Sequence, residues 1–351
     1  MKLPPLKIGK LESKYPVIQA GMGVKIGSAT LAAATINLGG YGTIASVGMG
    51  DPEDGKYHFV DSCNAKFAEE IRKAKELCDN KSPLGVNVMV AISNYKEIVE
   101  TAVKEGIDYI ISGAGLPLNL PEFVPAEAEV ALIPVVSSGR ALEVILKTWA
   151  RKYNRKPDAV IVEGPRNGGH LGFTMEMIEH PETCSLEILL KEIKEVLASY
   201  DCATIPVLAA EMVSNRADIE RILKIGYDGV QIGTYFICAE EAGIARKSKE
   251  VYVNAKAEDV VIIKSPVGLP VRVLKTPLVQ RVLNGERAKF TCPYRCLRTC
   301  NPAQSLFCIA RALLATFDGD TENGLYMCGS NVEAVTRIYP LNEFFDTLAG
   351  E

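Results

Sequence analysis

Short apolar runs alternate with segments of helical periodicity through residues 1–235. Eight runs can be counted, at 16–20, 41–46, 84–90, 108–113, 131–137, 158–163, 205–210 and 228–232. Most are nearly continuous hydrophobic stretches, which is typical of strands in a parallel sheet that is covered on both faces. The alternation of strands and helices predicts an α/β fold.

Helical periodicity fills several of the intervals between these runs, at 63–78, 95–105, 141–151, 186–199 and 215–225. Two of these segments are followed by a glycine, Gly106 or Gly226, just before the next strand. Glycine is favoured there because it caps a helix in the left-handed conformation. Eight strand–helix units that close on themselves form a (β/α)8 TIM barrel of about 250 residues, and this architecture is our prediction.

The competing architecture is a doubly wound dinucleotide-binding sheet. Its signature is G-x-G-x-x-G after the first strand, with an acidic residue about 20 positions later. This chain has Gly21 and Gly23, but the third glycine is Gly27, one position late, and no acidic residue stands at the matching distance. The pattern therefore favours the barrel.

Composition and charge exclude several classes of protein. Hydrophobic residues make up 48% and charged residues 23% of the 351, as in ordinary globular domains. The net charge is −4, without the basic stripe of a nucleic-acid-binding protein. The densest apolar stretch, 130–136, is far shorter than the roughly 20 residues of a membrane span. We expect a cytoplasmic protein with reduced cysteines, because no apolar leader is evident.

The regular alternation of apolar runs and helical segments does not continue after residue 245. We predict a barrel at 1–245 and a C-terminal extension at 246–351 that packs on it, with strand-like pieces in 247–275, a helix at 303–316 and an acidic tail. The extension is rich in cysteine.

Four cysteines of the extension are candidate metal ligands. Cys292, Cys296 and Cys300 are spaced by four, and Cys308 follows eight residues later. If the stretch is helical, the first three share one face and could ligate an iron–sulfur cluster or zinc. The spacing matches neither ferredoxin runs nor paired C-x-x-C zinc sites. We favour buried thiols that pack the extension onto the barrel, and we assign no metal ligand.

In a TIM barrel, function belongs to the loops at the carboxyl ends of the strands. After the sixth strand the chain reads EGPRNGGHLG, which places His170 behind two glycines at the barrel mouth. An imidazole with a reference pKa of about 6.5 can exchange a proton near neutrality. The other histidines, His58 and His180, stand in polar loop contexts and are expected on the surface. His170 is therefore the candidate catalytic residue.

Other strand ends carry candidate ligand contacts. Gly233 and Thr234 follow the eighth strand, where backbone N–H groups at a helix start favour a phosphate, although a plain turn is the alternative. The first strand is followed by the small residues Ala20 and Gly21 and by Met22, which could lie against a flat ring. On these residues alone we favour a turn with a core methionine. Asn87 places an amide inside an apolar strand, where it needs a partner; we favour a ligand over a neighbouring strand.

The segments QAGMG, GVN, GGHLG and GYDGVQIGT, in this order and at these spacings, resemble the nitronate monooxygenase family. The same superfamily includes the flavin-dependent enoyl-acyl-carrier-protein reductases. The resemblance covers about residues 12–245 and implies an FMN-binding barrel. It implies that Ala20, Gly21 and Met22 line the isoalloxazine, that Asn87 hydrogen-bonds the flavin, and that His170 is the active-site histidine. It further implies that the phosphate is held by Gln231, Ile232, Gly233 and Thr234.

The chain departs from the family after strand seven, where two glycines are usual and Glu211 and Met212 stand instead. We count both among the cofactor-binding candidates because backbone N–H groups can still bind a phosphate there. A carboxylate near the phosphate would repel it unless it is turned away. The sequence therefore predicts an unusual local backbone at this position.

The resemblance implies an FMN-dependent oxidoreductase. In the first hypothesis it oxidises alkyl nitronates to carbonyl compounds and nitrite with O2, and His170 orients the nitronate or deprotonates a neutral nitroalkane. In the second, NAD(P)H reduces FMN, which passes hydride to an enoyl thioester. A third is a barrel that binds a flavin or phosphometabolite without turnover. All three have a small-molecule partner, and a homodimer is left open.

Overall fold

The computed structural model describes residues 2–50, 55–79, 82–288, 290, 292 and 294–349, and only the backbone of residues 55–58. Eight parallel strands form the centre of the protein. They are Val17–Gln19 (β1), Gly42–Ala45 (β2), Leu84–Met89 (β3), Tyr109–Gly113 (β4), Ala131–Val136 (β5), Val160–Glu163 (β6), Val207–Ala210 (β7) and Gly229–Ile232 (β8). Each lies within one of the eight predicted runs, so all eight strand predictions are confirmed.

The sheet closes into a barrel. Consecutive strands from β2 to β8 pair in parallel, and β8 pairs with β1. The N–H of Gln19 donates to Tyr41 O at 2.9 Å, and the N–H of Tyr41 donates to Val17 O at 3.0 Å. These two bonds join β1 to the start of β2. A doubly wound sheet would keep two open edges, so the TIM barrel prediction is confirmed and its alternative is wrong.

Helices surround the strands. They are Ala29–Asn37, Gly55–Leu77, Tyr95–Lys104, Gly139–Tyr153, Met175–Glu179, Leu186–Ser199, Arg216–Ile225 and Thr234–Ile237. All five predicted helices are present, with ends that differ by a few residues except at Gly55–Leu77, which begins eight residues early. Gly226 caps its helix with a φ of +112°, as the glycine pattern indicated. Between β4 and β5 the chain forms only the 3-10 turns Leu120–Phe123 and Ala126–Ala128.

The interior of the barrel is filled at its amino-terminal end. Buried side chains such as Tyr41, Tyr109 and Ile161 meet there with Leu6 and Ile8 from a short hairpin, Leu6–Ile8 and Leu11–Ser13. A larger apolar cluster lies between the strands and the surrounding helices. Because this end is packed with side chains, the space for a ligand lies at the carboxyl end.

The segment after residue 245 contains both strands and helices. Its helices are Arg246–Asn254, Pro277–Leu283, Ile309–Asp318 and Leu341–Ala349, with 3-10 turns at Ala257–Asp259 and Val332–Ala334. Its strands, Val260–Lys264 (β9) and Pro270–Leu274 (β10), form an antiparallel hairpin. The strand prediction for 247–275 is thus confirmed in its second half, while the first half is helical.

Two further predictions for this segment need correction. The helix expected at 303–316 begins only at Ile309, because Asn301 and Ser305 close a turn and Cys308 has extended backbone before the helix starts. The acidic tail forms the helix Leu341–Ala349, whose apolar face is buried. The division into two domains at residue 245 stays a prediction. Across the described ranges, we find no helix with the length and apolarity that a bilayer span requires.

Candidate active site

A cavity of about 800 Å³ opens at the carboxyl ends of the barrel strands. Residues from the barrel form its floor, and residues from the C-terminal extension form its upper wall. Eight predicted site residues line it: Ala20, Gly21, Met22, Asn87, His170, Gln231, Gly233 and Thr234. The structure therefore brings together residues that lie more than 200 positions apart in sequence, although their roles in binding stay predictions.

Gly21 and Asn87 are in direct contact on the cavity floor. A Cβ atom on Gly21 would lie 2.0 Å from Asn87 Cβ, so only glycine fits. The backbone oxygen of Asn87 accepts hydrogen bonds from the N–H of Ser46 at 3.1 Å and from Ser46 Oγ at 2.8 Å. Within the described part of the chain, the Asn87 side-chain amide has no hydrogen-bond partner. It is free to bind a ligand.

Gln231 on β8 presents a second polar group without a partner. Its Nε2 atom is fully buried and makes no hydrogen bond among the described residues. A buried donor without an acceptor costs roughly 1–3 kcal/mol, so native structures seldom retain one without a reason. Gln231 lines the cavity, so a ligand bound there is the candidate acceptor for this donor.

Gly233 and Thr234 form the neighbouring part of the floor. A Cβ atom on Gly233 would meet only Ala20 Cβ, at 3.5 Å, and would otherwise point into open space. Thr234 Oγ1 accepts a 2.8 Å hydrogen bond from the N–H of Gly329. The extension thus reaches the site at Gly329, and the backbone of Gly233 is open to a ligand.

Three of the predicted cofactor-binding residues do not line the cavity: Glu211, Met212 and Ile232. The Glu211 carboxylate accepts a 2.7 Å hydrogen bond from the N–H of Arg166, and it packs where a Cβ atom on Gly164 would stand. The carboxylate is therefore turned toward the β6 loop. Met212 has a φ of +50°, in the left-handed region that non-glycine residues seldom adopt. The predicted unusual backbone is confirmed at this position.

His170 lies in a two-residue strand, Gly169–His170, which pairs with β10. Its Nε2 atom lies 2.7 Å from Ser265 Oγ. Burial lowers the pKa of the imidazole to about 4, because a charged ring would lose its solvation. The ring is consequently neutral at pH 7, so the proton exchange expected from its reference pKa does not apply.

His180 is exposed, as predicted; the side chain of His58 lies outside the described residues.

Comparison with known proteins places this chain in a family. Residues 4–351 match the family model described as nitronate monooxygenase. The chain belongs to this family.

Curated relatives in the nitronate monooxygenase family have more than one activity. The chain is 29% identical to (3aS,4S,5R,7aS)-5-hydroxy-7a-methyl-1-oxo-octahydro-1H-indene-4-carboxyl-CoA dehydrogenase from Mycobacterium tuberculosis, over 79% of this chain and 67% of the relative. It is 26% identical to a probable nitronate monooxygenase from Staphylococcus saprophyticus, over 80% and 81% of the two chains. These relatives are oxidoreductases, and so is this protein.

Solved structures confirm the fold. FabK from Thermotoga maritima superposes with a TM-score of 0.72 over 96% of this chain and 92% of its own, at 24% identity. At this identity the likeness concerns the architecture alone.

Arg272 does not line the cavity, but it supports the site and the sequence analysis missed it. It is buried in β10 and donates to Pro165 O at 2.9 Å and to Asn167 O. Burial lowers the pKa of its guanidinium. Arg272 thereby fixes the loop that carries His170. The sequence does contain a signal for Arg272, because this charged residue interrupts the apolar run PVRVL.

Glu163 is the second residue that was missed. It is the last residue of β6 and lines the cavity on the same loop as His170. Burial raises the pKa of its carboxyl to about 7, although Asn167 Nδ2 donates to it at 3.4 Å and opposes this shift. An acidic residue at the carboxyl end of a barrel strand is a signal for function in this fold.

The upper wall of the cavity is mostly apolar. It includes Val267, Leu269, Leu297, Ile309, Leu313 and Leu325. Among the lining residues, the carboxyl, imidazole and guanidinium side chains are those of Glu163, His170 and Arg298. The cavity therefore suits a ligand with an apolar part and a few polar groups.

Cys296 also lines this wall. Burial raises the pKa of its thiol to about 12. Cys296 and Cys308 pack against a cluster that includes Val24 and Phe59. In the described ranges, no three Cys, His, Asp or Glu side chains are placed to hold a metal ion. Cys296 and Cys308 thus pack the extension onto the barrel as predicted, and they are partly buried. That the four cysteines bind no metal stays a prediction.

Proposed function

We propose that this protein is an FMN-dependent oxidoreductase whose flavin binds in the cavity at the barrel mouth. The buried, unpartnered Nε2 atom of Gln231 is the observation that carries the proposal. A flavin offers several acceptor atoms to such a donor. When bound, it supplies the electron and hydride transfer that amino-acid side chains cannot provide.

The floor of the cavity fits this cofactor. Gly21 brings the backbone beside Asn87, whose amide has no partner among the described residues and could bond the edge of a flat ring. Gly233 leaves the space that a phosphate or ribityl chain would fill, and Gln231 and Thr234 flank it. Glu211 is turned away from this space, so its charge opposes phosphate binding less than the sequence suggested.

Oxidation of alkyl nitronates to carbonyl compounds and nitrite is the first candidate reaction. The family description and the staphylococcal relative support it. A neutral His170 can donate a hydrogen bond to a nitronate oxygen, and an uncharged Glu163 below its pKa of about 7 does not repel the anion. The protein would then bind and orient the substrate without supplying redox chemistry of its own.

Oxidoreduction of an acyl thioester, with NAD(P)H as reductant, is the second candidate. It is favoured by the apolar upper wall, which extends the cavity well beyond the barrel floor into the extension. The mycobacterial relative is by its name a dehydrogenase of a carboxyl-CoA compound. An acyl group would lie along this apolar wall.

An anaerobic absorbance experiment tests both candidates. The protein is mixed with the nitronate of nitroethane, or with NADPH followed by an enoyl-CoA, while the flavin band is recorded. Bleaching by the nitronate, with nitrite released on admission of O2, supports the first candidate. Bleaching by NADPH and return of the band with the enoyl-CoA supports the second. The exposed variant His180→Asn serves as the control and should match the wild type. If neither donor bleaches the flavin, the proposed function is contradicted.

A further inference from the structure

We infer that Ser265 fixes the tautomer of His170, so that the ring presents Nδ1–H to the cavity as a hydrogen-bond donor. His170 then binds an oxygen of the substrate and does not act as a general base. The identity of that substrate rests on the proposed function, but the tautomer does not.

Ser265 reaches His170 through the turn of the β9–β10 hairpin. The N–H of Ser265 donates to Leu269 O at 3.0 Å, and the N–H of Gly268 donates to Ser265 O at 2.9 Å. On the barrel side, His170 is in register with Val271 of β10. The turn and the histidine strand therefore form one hydrogen-bonded unit. This unit holds Ser265 Oγ at 2.7 Å from His170 Nε2.

The hydrogen bonds of Ser265 Oγ determine which atom donates. This buried hydroxyl accepts from the N–H of Val267 at 3.1 Å. Among the described residues it has one other polar neighbour, His170 Nε2. If Nε2 carried the proton, the serine hydrogen would have no acceptor in a buried site, which costs free energy. All groups are satisfied when Ser265 donates to Nε2.

The second ring nitrogen then carries the proton. Burial keeps the imidazole neutral at pH 7, since its pKa is lowered to about 4. A neutral imidazole whose Nε2 accepts a hydrogen bond is protonated at Nδ1. Nδ1 has no partner in the described part of the chain, and His170 lines the cavity. It is therefore the ring nitrogen that a ligand can meet.

The assignment of the proton to Nδ1 limits which chemical groups of a substrate can bind to His170. An N–H donor in a partly dry site favours an oxygen that carries negative charge or gains it during reaction. The nitronate oxygen and the thioester carbonyl oxygen share this property. A neutral nitroalkane would instead need a base to remove its C–H proton. Nδ1–H has no free lone pair, so His170 cannot be that base, and the carboxylate of Glu163 in the same cavity would have to serve.

Nitrogen-15 NMR of the purified protein labelled in histidine tests the tautomer directly. The chain has three histidines, so His58→Gln and His180→Gln assign the remaining signals to His170. We expect protonated Nδ1 and unprotonated Nε2 in the wild type and in Ser265→Thr, which keeps the hydroxyl. Ser265→Ala should shift the ring toward protonated Nε2. Protonated Nε2 in the wild type, or no change in Ser265→Ala, would overturn the inference.

Steady-state kinetics give a second test, and they distinguish a nitronate substrate from a thioester substrate. Ser265→Ala should lower kcat/KM about tenfold, the value of one neutral hydrogen bond, and Ser265→Thr should restore it. With nitroethane, we expect Glu163→Gln, which lacks the carboxylate base of the cavity, to consume the preformed nitronate and not the freshly dissolved neutral form. With enoyl-CoA, Ser265→Ala should slow hydride transfer. Rapid consumption of the neutral nitroalkane by Glu163→Gln would refute the donor role of His170. The NMR result needs no turnover, so it stands or falls apart from the proposed function.

Discussion

The carboxylate of Glu211 accepts a 2.7 Å hydrogen bond from the backbone N–H of Arg166 and so joins the end of β7 to the loop after β6. The sequence resemblance implies glycine at the Glu211 position. Here the side chain fills the space beside Gly164, where a Cβ atom would lie 2.5 Å from Glu211 Cδ. The glutamate therefore supports the loop that carries His170 and does not face the cavity.

Substitution of Glu211 should affect stability more than flavin binding. Glu211→Ala removes the acceptor of the part-buried Arg166 N–H and empties the space beside Gly164, so it should lower the free energy of unfolding by about 1–3 kcal/mol. Glu211→Gln keeps an acceptor oxygen and should lose less. Urea denaturation measures both, and flavin titration of Glu211→Gln is the control. A large gain in FMN affinity in that variant would show that the carboxylate does face the phosphate.

Two glycines of the cavity floor should respond differently to alanine. Gly21→Ala forces a Cβ atom against Asn87 and should destabilise the fold by about 1–3 kcal/mol. Gly233→Ala meets only an ordinary contact with Ala20 and should fold normally, but its methyl group enters the space assigned to the flavin. Thermal unfolding and flavin content separate the two effects. Full flavin content in Gly233→Ala would argue against the placement of the cofactor beside this residue.

Much of the fold could be predicted from the sequence, because buried parallel strands are continuous apolar runs bounded by turns. The contents of the site were only partly predictable. Ala20, Gly21 and His170 belong to motifs that stand at strand ends. The contact between His170 and Ser265 joins residues 95 positions apart through a hairpin turn, and no local pattern encodes it.

The direction in which a side chain points also could not be predicted from the sequence. Glu211 stands where a phosphate contact was expected, yet its carboxylate accepts a hydrogen bond from the backbone N–H of Arg166 on a neighbouring loop. The late start of the helix at Ile309 has a similar origin. Phe307 is buried in the apolar cluster of the extension, so the chain before Ile309 follows tertiary packing and not helical periodicity.

Glu163 should make stability depend on pH. Its pKa is raised from 4.5 to about 7 by burial, so between these values the native state holds a proton that the unfolded state has lost. Stability from this group therefore falls as pH rises from 4.5 through 7. Glu163→Gln stays neutral, and its stability relative to wild type should increase between pH 5 and pH 8.

Urea denaturation at the two pH values checks this, with Glu143→Gln as control, since Glu143 is exposed on a surface helix. An unchanged difference between Glu163→Gln and wild type at both pH values would show that the carboxyl is not shifted.

The cysteines of the extension should behave as packed thiols. Protein purified without oxygen should contain substoichiometric iron and zinc. Because burial raises the pKa of Cys296 to about 12, its thiol should react with a disulfide reagent more slowly than the exposed thiols of the denatured chain. Metal analysis and thiol titration measure these properties. One or more metal ions per chain, lost in Cys296→Ser, would establish a metal site instead.

The most direct test of the flavin site is a titration of FMN into flavin-free wild type and Gln231→Leu. The buried Nε2 atom of Gln231 costs the protein free energy without a ligand, so the leucine variant should unfold at a higher urea concentration. It should also bind FMN about tenfold more weakly, because one hydrogen bond to the cofactor is lost. Equal FMN affinity in the two proteins, or a wild type that takes up no FMN, would contradict the account.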